Sequence, residues 1–403
     1  MSGLRELLGE RRRGVVGPDA GARLISALGG DLRILPVVVS LAVIWIVFYA
    51  ANSVFLSPRN LSGLSVQIVV TGIVALGIVF VLLAGEIDLS AASSSGVCAA
   101  VMATLFVNHG WSAGWAVVAA ILIGMGIGLA QALAVVFGAP SFVVTLGGGL
   151  ILVGLLLFLL PDAGQINLAG TSIGKIADSY IASPWNWLIA ALASGVYAVM
   201  RATSFRSSRK RGMAVDVVRS LLFPVCAATA GIFLVTWELD RYQGIPVAVA
   251  IFLALLALGA YVTTQTKFGV HLYATGANRK AARKVGIRVG YLVITTFLIS
   301  GGCAAIAGVI AASRVLGVSS YSGSGSLMLE AIAAAVIGGT SLFGGRGTVW
   351  AALLGALIIG SISNGMDILG LAPQVKLVTE GSILITAVAI DSVIARGSLW
   401  PQP

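Results

Sequence analysis

Two carboxylates stand two residues apart in Ala84-Gly85-Glu86-Ile87-Asp88-Leu89-Ser90, with a long apolar stretch on either side. A charge at the centre of a membrane helix costs about 2.5–3.5 kcal/mol on insertion scales, so two of them do not face lipid. Three placements satisfy that constraint: a helix break on the inner side, the N-cap of the next helix through Asp88 or Ser90, or the wall of a translocation path. The spacing alone does not choose among them.

A second unusual stretch is Gly338-Gly339-Thr340-Ser341-Leu342-Phe343-Gly344-Gly345-Arg346-Gly347, with five glycines in ten residues. Each glycine costs about 1 kcal/mol relative to alanine inside a helix, so a broken or re-entrant segment is expected near 327–347. Glycine-rich turns can cradle phosphate ahead of a helix, but no strand precedes this one, and a tight turn is the simpler reading. The third stretch is the basic loop 276–289. Ala281, Ala282 and Val285 recur there at helical spacing between Gly276 and Gly286, among Arg279, Lys280, Arg283 and Lys284. That pattern predicts a short amphipathic helix. Taken alone, such a charge run is a solvated loop.

Other chemistry fails on inspection. Gly170-Thr171-Ser172-Ile173-Gly174-Lys175-Ile176 has one residue too few between its glycines for a phosphate loop and lacks Ser or Thr after the lysine. No site for ATP hydrolysis is expected. The two histidines, His109 and His271, fall in loops on opposite faces and share no metal or active site. Gly323-Ser324-Gly325 resembles a protease serine but lacks a suitable histidine. The chain does not read as an enzyme.

These segments are held by elements that composition identifies. Of 403 residues, 58% are apolar and only 10% charged, with a mean hydropathy of +1.02. A water-soluble globule carries about 25% charged residues. At about 20 residues per crossing, twelve spans need roughly 240 residues. Apolar runs of that kind occupy 34–55, 66–84, 89–107, 115–137, 142–160, 185–200, 219–236, 247–264, 291–313, 327–340, 348–364 and 376–395. The expected fold is therefore an all-α polytopic membrane protein of about twelve helices (ten to twelve). A basic tail covers 1–33, the transmembrane domain 34–395 and a short tail 396–403, with both tails cytoplasmic.

The basic residues test that topology. Twenty of the 25 Lys and Arg fall on the side of the tails, six each in 1–33, 201–219 and 265–290, and only Arg59, Lys175, Arg241, Arg314 and Lys376 fall opposite. This is a strong positive-inside asymmetry. The net charge of +10 then reflects basic loops facing anionic lipid, about 1 kcal/mol each; no aromatic interleaving suggests nucleic acid. Cys98, Cys226 and Cys303 lie in apolar stretches and are read as small packing residues. In the long outer connection 161–184, Ile173, Ile176 and Tyr180 predict a short interfacial helix.

With these segments located, the sequence resembles the permease subunit of a sugar ATP-binding-cassette importer of the ribose and xylose type, over residues 57–395. Glu86-Ile87-Asp88-Leu89-Ser90 is similar to the family's acidic signature, and Pro140-Ser141-Phe142-Val143-Val144-Thr145-Leu146 to a second motif. Glu330-Ala331-Ile332-Ala333-Ala334, Gly338-Gly339-Thr340 and Asn364-Gly365-Met366 match further stretches. Glu86, the extra pair 185–200 and 219–236, and Asp240-Arg241-Tyr242-Gln243-Gly244-Ile245-Pro246 look like the xylose type.

The resemblance implies that the basic loop is a coupling helix docking on a separate ATPase, with Gly276, Asn278, Ala281, Ala282, Arg283, Gly286 and Ile287 keeping the pattern. Ala282 is expected to face the ATPase groove. Arg279, where relatives often carry an acid, and Lys284-Val285 depart from it. It further implies two permease copies, ATPase subunits that bind the ATP, an external sugar-binding protein, and no cofactor of the chain's own. Glu86, Asp88, Ser90, Glu330, Gly338, Gly339, Thr340 and Asn364 are candidates for the pathway or its scaffold. Two other classes were weighed. An ion-coupled secondary sugar transporter would show mid-membrane coupling charges and an internal repeat. A channel would need a filter motif. The chain shows no convincing repeat and no filter.

Overall fold

The computed structural model describes residues 35–210, 216–323 and 325–397. The expected tail 1–33 and the last residues of the tail 396–403 lie outside the described residues. Every one of the twelve apolar runs falls on a helix. Eight of those helices are long and apolar enough to cross a membrane. They are α2 (Pro58–Leu83), α3 (Ala91–Ala103, prolonged by a wide turn to Asn108), α4 (Ala113–Val136), α5 (Ser141–Leu159), α7 (Phe223–Asp240), α8 (Val247–Gln265), α11 (Val289–Arg314) and α13 (Trp350–Ile368). The other four runs lie on α1 (Leu35–Ala51), α6 (Trp185–Lys210), α12 (Gly325–Ile337) and α14 (Pro373–Gly397). Two further helices, α9 (Lys267–Ala277) and α10 (Arg279–Lys284), build the basic loop.

Helix α2 is the axis of the bundle: 94% of its most apolar window is buried. Its apolar residues form one cluster with α8, α11, α12 and α13, including Ile73, Leu76, Phe252, Ile310 and Ala331. Lipid tails are as apolar as leucine, so the hydrophobic effect does not press such helices together, and close packing must do so. Glycine supplies it. A Cβ on Gly77 would meet Ser300 Cα of α11 at 2.9 Å. Gly124 and Gly301 face each other's carbonyl oxygens across α4 and α11, and Gly128 faces that of Phe297. At the opposite extreme, only 6% of the α7 window is buried. Its partner is α6, so this helix pair stands at the edge of the bundle with Phe223, Leu234 and Trp237 exposed.

Two opposite ends result. One carries four short strands: β1 (Gln165–Asn167) pairs antiparallel with β4 (Gly317–Ser319), and β2 (Tyr180–Ile181) with β3 (Ile245–Pro246). The helix expected from Ile173, Ile176 and Tyr180 does not form. Ile173 is fully buried, and Thr171 accepts the Gly174 amide at 3.1 Å in a tight turn. The apolar side chains thus serve packing under a turn-rich connection, and no helix face forms.

The other end gathers the loops 84–90, 276–288 and 338–349. Helix α12 spans only part of the distance between the ends. Its 13 residues make about 20 Å, against a hydrocarbon core of about 30 Å. Before it, Gly323 sits against Ala92 and Gly96 of α3, so α12 begins inside the bundle. The break expected near 327–347 follows directly, after Ile337.

Opposed ends give a labelling test. In a background without Cys98, Cys226 and Cys303, cysteines at exposed Ser172 and exposed Val285 should react with an impermeant reagent from opposite sides of the membrane. Reaction of both from the same side of sealed cells would refute the arrangement.

Candidate functional site

Four of the helices that reach the loop end stop in the same way, α4 among them, with Ala139 N–H donating to Ala134 O and Gly138 N–H to Val135 O at a Gly138 φ of +108°. Helix α2 ends with Glu86 N–H donating to Val81 O and Gly85 N–H to Leu82 O. Helix α10 ends with the same pair of bonds, Ile287 to Ala282 and Gly286 to Arg283, and α12 with Thr340 to Ala335 and Gly339 to Val336. Each is a Schellman cap, and Gly85, Gly286 and Gly339 occupy its left-handed position with φ of +78°, +85° and +104°. The reversed chains then converge. Gly344 has Gly85 Cα 2.7 Å and Gly276 O 2.9 Å from where its Cβ would lie. Gly276 faces Leu83 O and Gly345, and Gly345 N–H donates to Leu83 O at 3.3 Å. Tyr273 of α9 donates its hydroxyl to Gly347 O at 2.9 Å. The acidic motif, the basic loop and the glycine-rich turn are one junction.

Beyond Gly85 the chain folds back into the bundle. Asp88 Oδ1 accepts Ser90 N–H at 2.9 Å and Ser90 Oγ–H at 2.7 Å, and Oδ2 accepts Ser300 Oγ–H of α11 at 2.7 Å. Ser300 also abuts Gly77, six residues and about 9 Å of helical rise from the end of α2. Gln131 of α4 donates Nε2–H to Ser90 Oγ at 2.8 Å, and Ile87 N–H reaches Ser141 Oγ of α5 at 3.2 Å. Asp88 therefore touches no lipid: its donors and the start of α3 offset the charge. Neither Asp88 nor Ser90 caps α3 through its side chain in the usual sense; Ser90 holds the N-cap position without a side-chain cap bond, because its hydroxyl is taken by Asp88. Glu86 takes a different role. It is buried, 6% exposed, and paired with Arg279 of α10.

Asn278 caps α10, accepting Ala281 N–H at 3.0 Å. The helix then divides its faces. Ala282 is 3% exposed and packs with Val81, Val135, Val293 and Phe297. The expectation that Ala282 faces a partner's groove is corrected: it turns into the bundle, because Ile287 and Ala282 close the Schellman cap over an apolar cluster. The outward face carries Ala281 and Val285, the latter 77% exposed, flanked by exposed Lys280, Arg283 and Lys284.

The remaining candidates are scattered toward other parts of the bundle. Glu330 Oε2 accepts the Thr71 hydroxyl of α2 at 3.0 Å. Asn364 exchanges amide bonds with Asn60 at 2.9 and 3.2 Å, tying α13 to α2 near the strand end. Gly338 faces Ala351 O of α13, and Thr340 is buried with its hydroxyl unpartnered among the described residues. A cavity of about 370 Å³ opens at the strand end between α2 and α11, lined in part by Gly63, Lys175, Asp178, Tyr180 and Arg314. Sequence reading passed over Thr71, Gln131, Ser300 and buried Glu380, whose Oε1 lacks a hydrogen-bond partner among the described residues. The available signal was a polar side chain within an apolar run.

Residues 60–388 match the family model described as branched-chain amino acid transport system / permease component. The chain is 34% identical over 378 residues to the xylose transport system permease protein of Escherichia coli, covering 91% of this chain and 94% of that protein. It is 35% identical over 370 residues to the xylose transport system permease protein of Haemophilus influenzae, 90% and 96% covered. The chain belongs to the sugar ABC-transporter permease family. The D-allose transport system permease protein of Escherichia coli matches at 29% over 153 residues, 38% of this chain and 47% of that protein. No solved structure matches.

In this permease three of the motifs that carry the family likeness touch one another: the acidic motif bonds to Ser141 of the second motif, and its flanking Gly85 packs on the glycine-rich turn. Gly276→Ala tests the junction. Its new methyl meets backbone, and overpacking of that kind costs about 1–3 kcal/mol. Thermal unfolding in detergent should fall by several degrees, whereas Gly63→Ala, with open space around it, should show no loss.

Proposed function

We propose that this permease is the transmembrane subunit of an ATP-driven importer of a pentose, D-xylose, and forms the translocation path as a pair of identical copies. The observation that carries the reading is the outward face of α10 and its C-cap, where exposed Ala281 and Val285 are edged by four basic side chains, Lys280, Arg283, Lys284 and Arg288, all solvent-exposed. A surface of that shape and charge suits an acid-rimmed, apolar groove on a soluble subunit. The charge asymmetry favours placing this end in the cytoplasm, with both termini, in a bacterial inner membrane. The strand end then faces the binding protein that delivers the sugar. Likeness over about nine-tenths of the chain to two permeases named for xylose transport supports the substrate. ATP is bound by the separate subunit, since the chain carries no phosphate loop.

Purified permease in liposomes should show no ATP hydrolysis and no D-xylose uptake until an ATPase, a binding protein and ATP are added. Uptake by the permease alone under a proton or sodium gradient would replace this reading with an ion-coupled carrier.

The docking face has its own test. Val285→Asp puts an acid at the most exposed apolar residue of this face, 77% exposed, without entering the bundle. Central interface changes commonly cost about 2 kcal/mol or more, roughly thirtyfold in affinity. ATPase recovered by co-purification should fall accordingly at matched permease expression. Unchanged recovery would remove α10 from the interface. Ala282→Glu, in contrast, should lower permease stability itself.

A further inference from the structure

The acid–base pair Glu86–Arg279 joins two loops that are 193 residues apart in sequence. Its surroundings distinguish it from a surface ion pair. The Glu86 side chain is only 7% exposed and that of Arg279 37%, and the chains that carry them are already held together by the backbone contacts of Gly276, Gly344 and Gly345. Arg279 is the first residue of α10, directly after the Asn278 cap. Its guanidinium is therefore engaged inside the permease, while Lys280, Arg283 and Lys284 of the same helix stay exposed. Glu86 in turn opens the segment whose next residues bond to three neighbouring spans. Ile87 bonds to α5, Asp88 to α11, and Ser90 to α4 at the start of α3.

Any displacement of α10 meets two mechanical routes into the bundle. One is the soft apolar contact of Ala282 with Val81, Val293 and Phe297. The other is directional: a charge pair onto a segment cross-bonded to three helices, α4, α5 and α11. Apolar contacts slide at little cost because they have no preferred direction, whereas a charged hydrogen bond resists both shear and separation. The departure of Arg279 from the family pattern thereby gains a partner, since Glu86 supplies inside this chain the acid that pairs with it.

We infer that the Glu86–Arg279 pair is the strut by which movement of the basic loop reaches residues 84–90, so that both are positioning residues for transport and contact neither the sugar nor the ATPase. The inference rests on the reading of α10 as the ATPase-docking helix.

The experiment uses the complete assembly in proteoliposomes, permease with ATPase and binding protein, and reads three quantities: ATPase retained, ATP hydrolysed, and sugar taken up per ATP. The variants are Arg279→Glu, Glu86→Arg, the double reversal, and the neutral pair Glu86→Gln with Arg279→Gln. Each should retain the ATPase at wild-type level, because the exposed face of α10 is intact. Sugar per ATP should fall at least tenfold in the single reversals and at least threefold in the neutral pair. The double reversal should recover to within threefold of wild type. If the single reversals fail to accumulate, the neutral pair, which buries no unpaired charge, decides the matter. A neutral pair transporting at the wild-type ratio, or a folded double reversal as uncoupled as the singles, would overturn the strut. Loss of the ATPase from Arg279→Glu would overturn it too, by placing Arg279 in the docking surface. Full ATPase retention in Val285→Asp would instead overturn the docking reading, so the two failures are distinguishable.

Discussion

A carboxylate facing hydrocarbon is too costly to keep, and much of the architecture of this permease follows from satisfying Asp88. Its two oxygens take three hydrogen bonds, from Ser90 and Ser300. Hydrogen bonds to charged groups contribute about 1.5–3 kcal/mol each. To deliver them, the chain after α2 must fold back into the bundle rather than emerge from it, and α4 and α11 must come close enough to enclose the turn. The glycines of α4 and α11 are what let them. Gly124, Gly128 and Gly301 bring the two helices into backbone contact, and Gln131 is carried to Ser90 as a consequence.

The same economy shapes the loop end. Backbone polar groups at membrane depth need partners, because no water supplies them. Four helices end there in Schellman caps, which satisfy terminal carbonyls locally and reverse the chain at a glycine. The reversed segments then satisfy one another through Gly345 on Leu83 and Tyr273 on Gly347. A Cβ on Gly276, Gly344 or Gly345 would strike backbone, so the motifs that meet there are glycine-rich for a steric reason. The short helix α12 belongs to this arrangement. It starts within the bundle and hands the chain to the junction, with Gly355 of α13 pressed on its Ala334 carbonyl to fix the angle.

Against this rigid junction, α10 has one face built into the bundle and one left open. That division suits the proposed docking role. A helix wholly exposed would move without consequence, and one wholly buried would not be reachable. Ala282 and Arg279 face inward while Val285 and three lysine or arginine side chains face outward, so under that proposal a six-residue helix is at once a handle and a lever. The peripheral α6–α7 pair is remote from that action and presents an apolar surface outward.

Composition and period determined the membrane class, the helix positions, a break near 327–347 and a short helix within 276–289, because these depend on local hydrophobicity and on glycine's cost in a helix, which neighbouring residues set by themselves. The placement of the acidic motif stayed open among three alternatives, since Glu86 and Asp88 differ only in partners that lie far along the chain. Tertiary structure separated them, giving Asp88 to Ser300 and Glu86 to Arg279, residues 212 and 193 positions distant. It also reversed two expectations, turning Ala282 inward and replacing the 173–180 helix with a turn over buried Ile173. An amphipathic pattern states that one face of a segment is apolar. Whether that face meets lipid, a partner or the chain's own core is decided by what the rest of the fold brings opposite it.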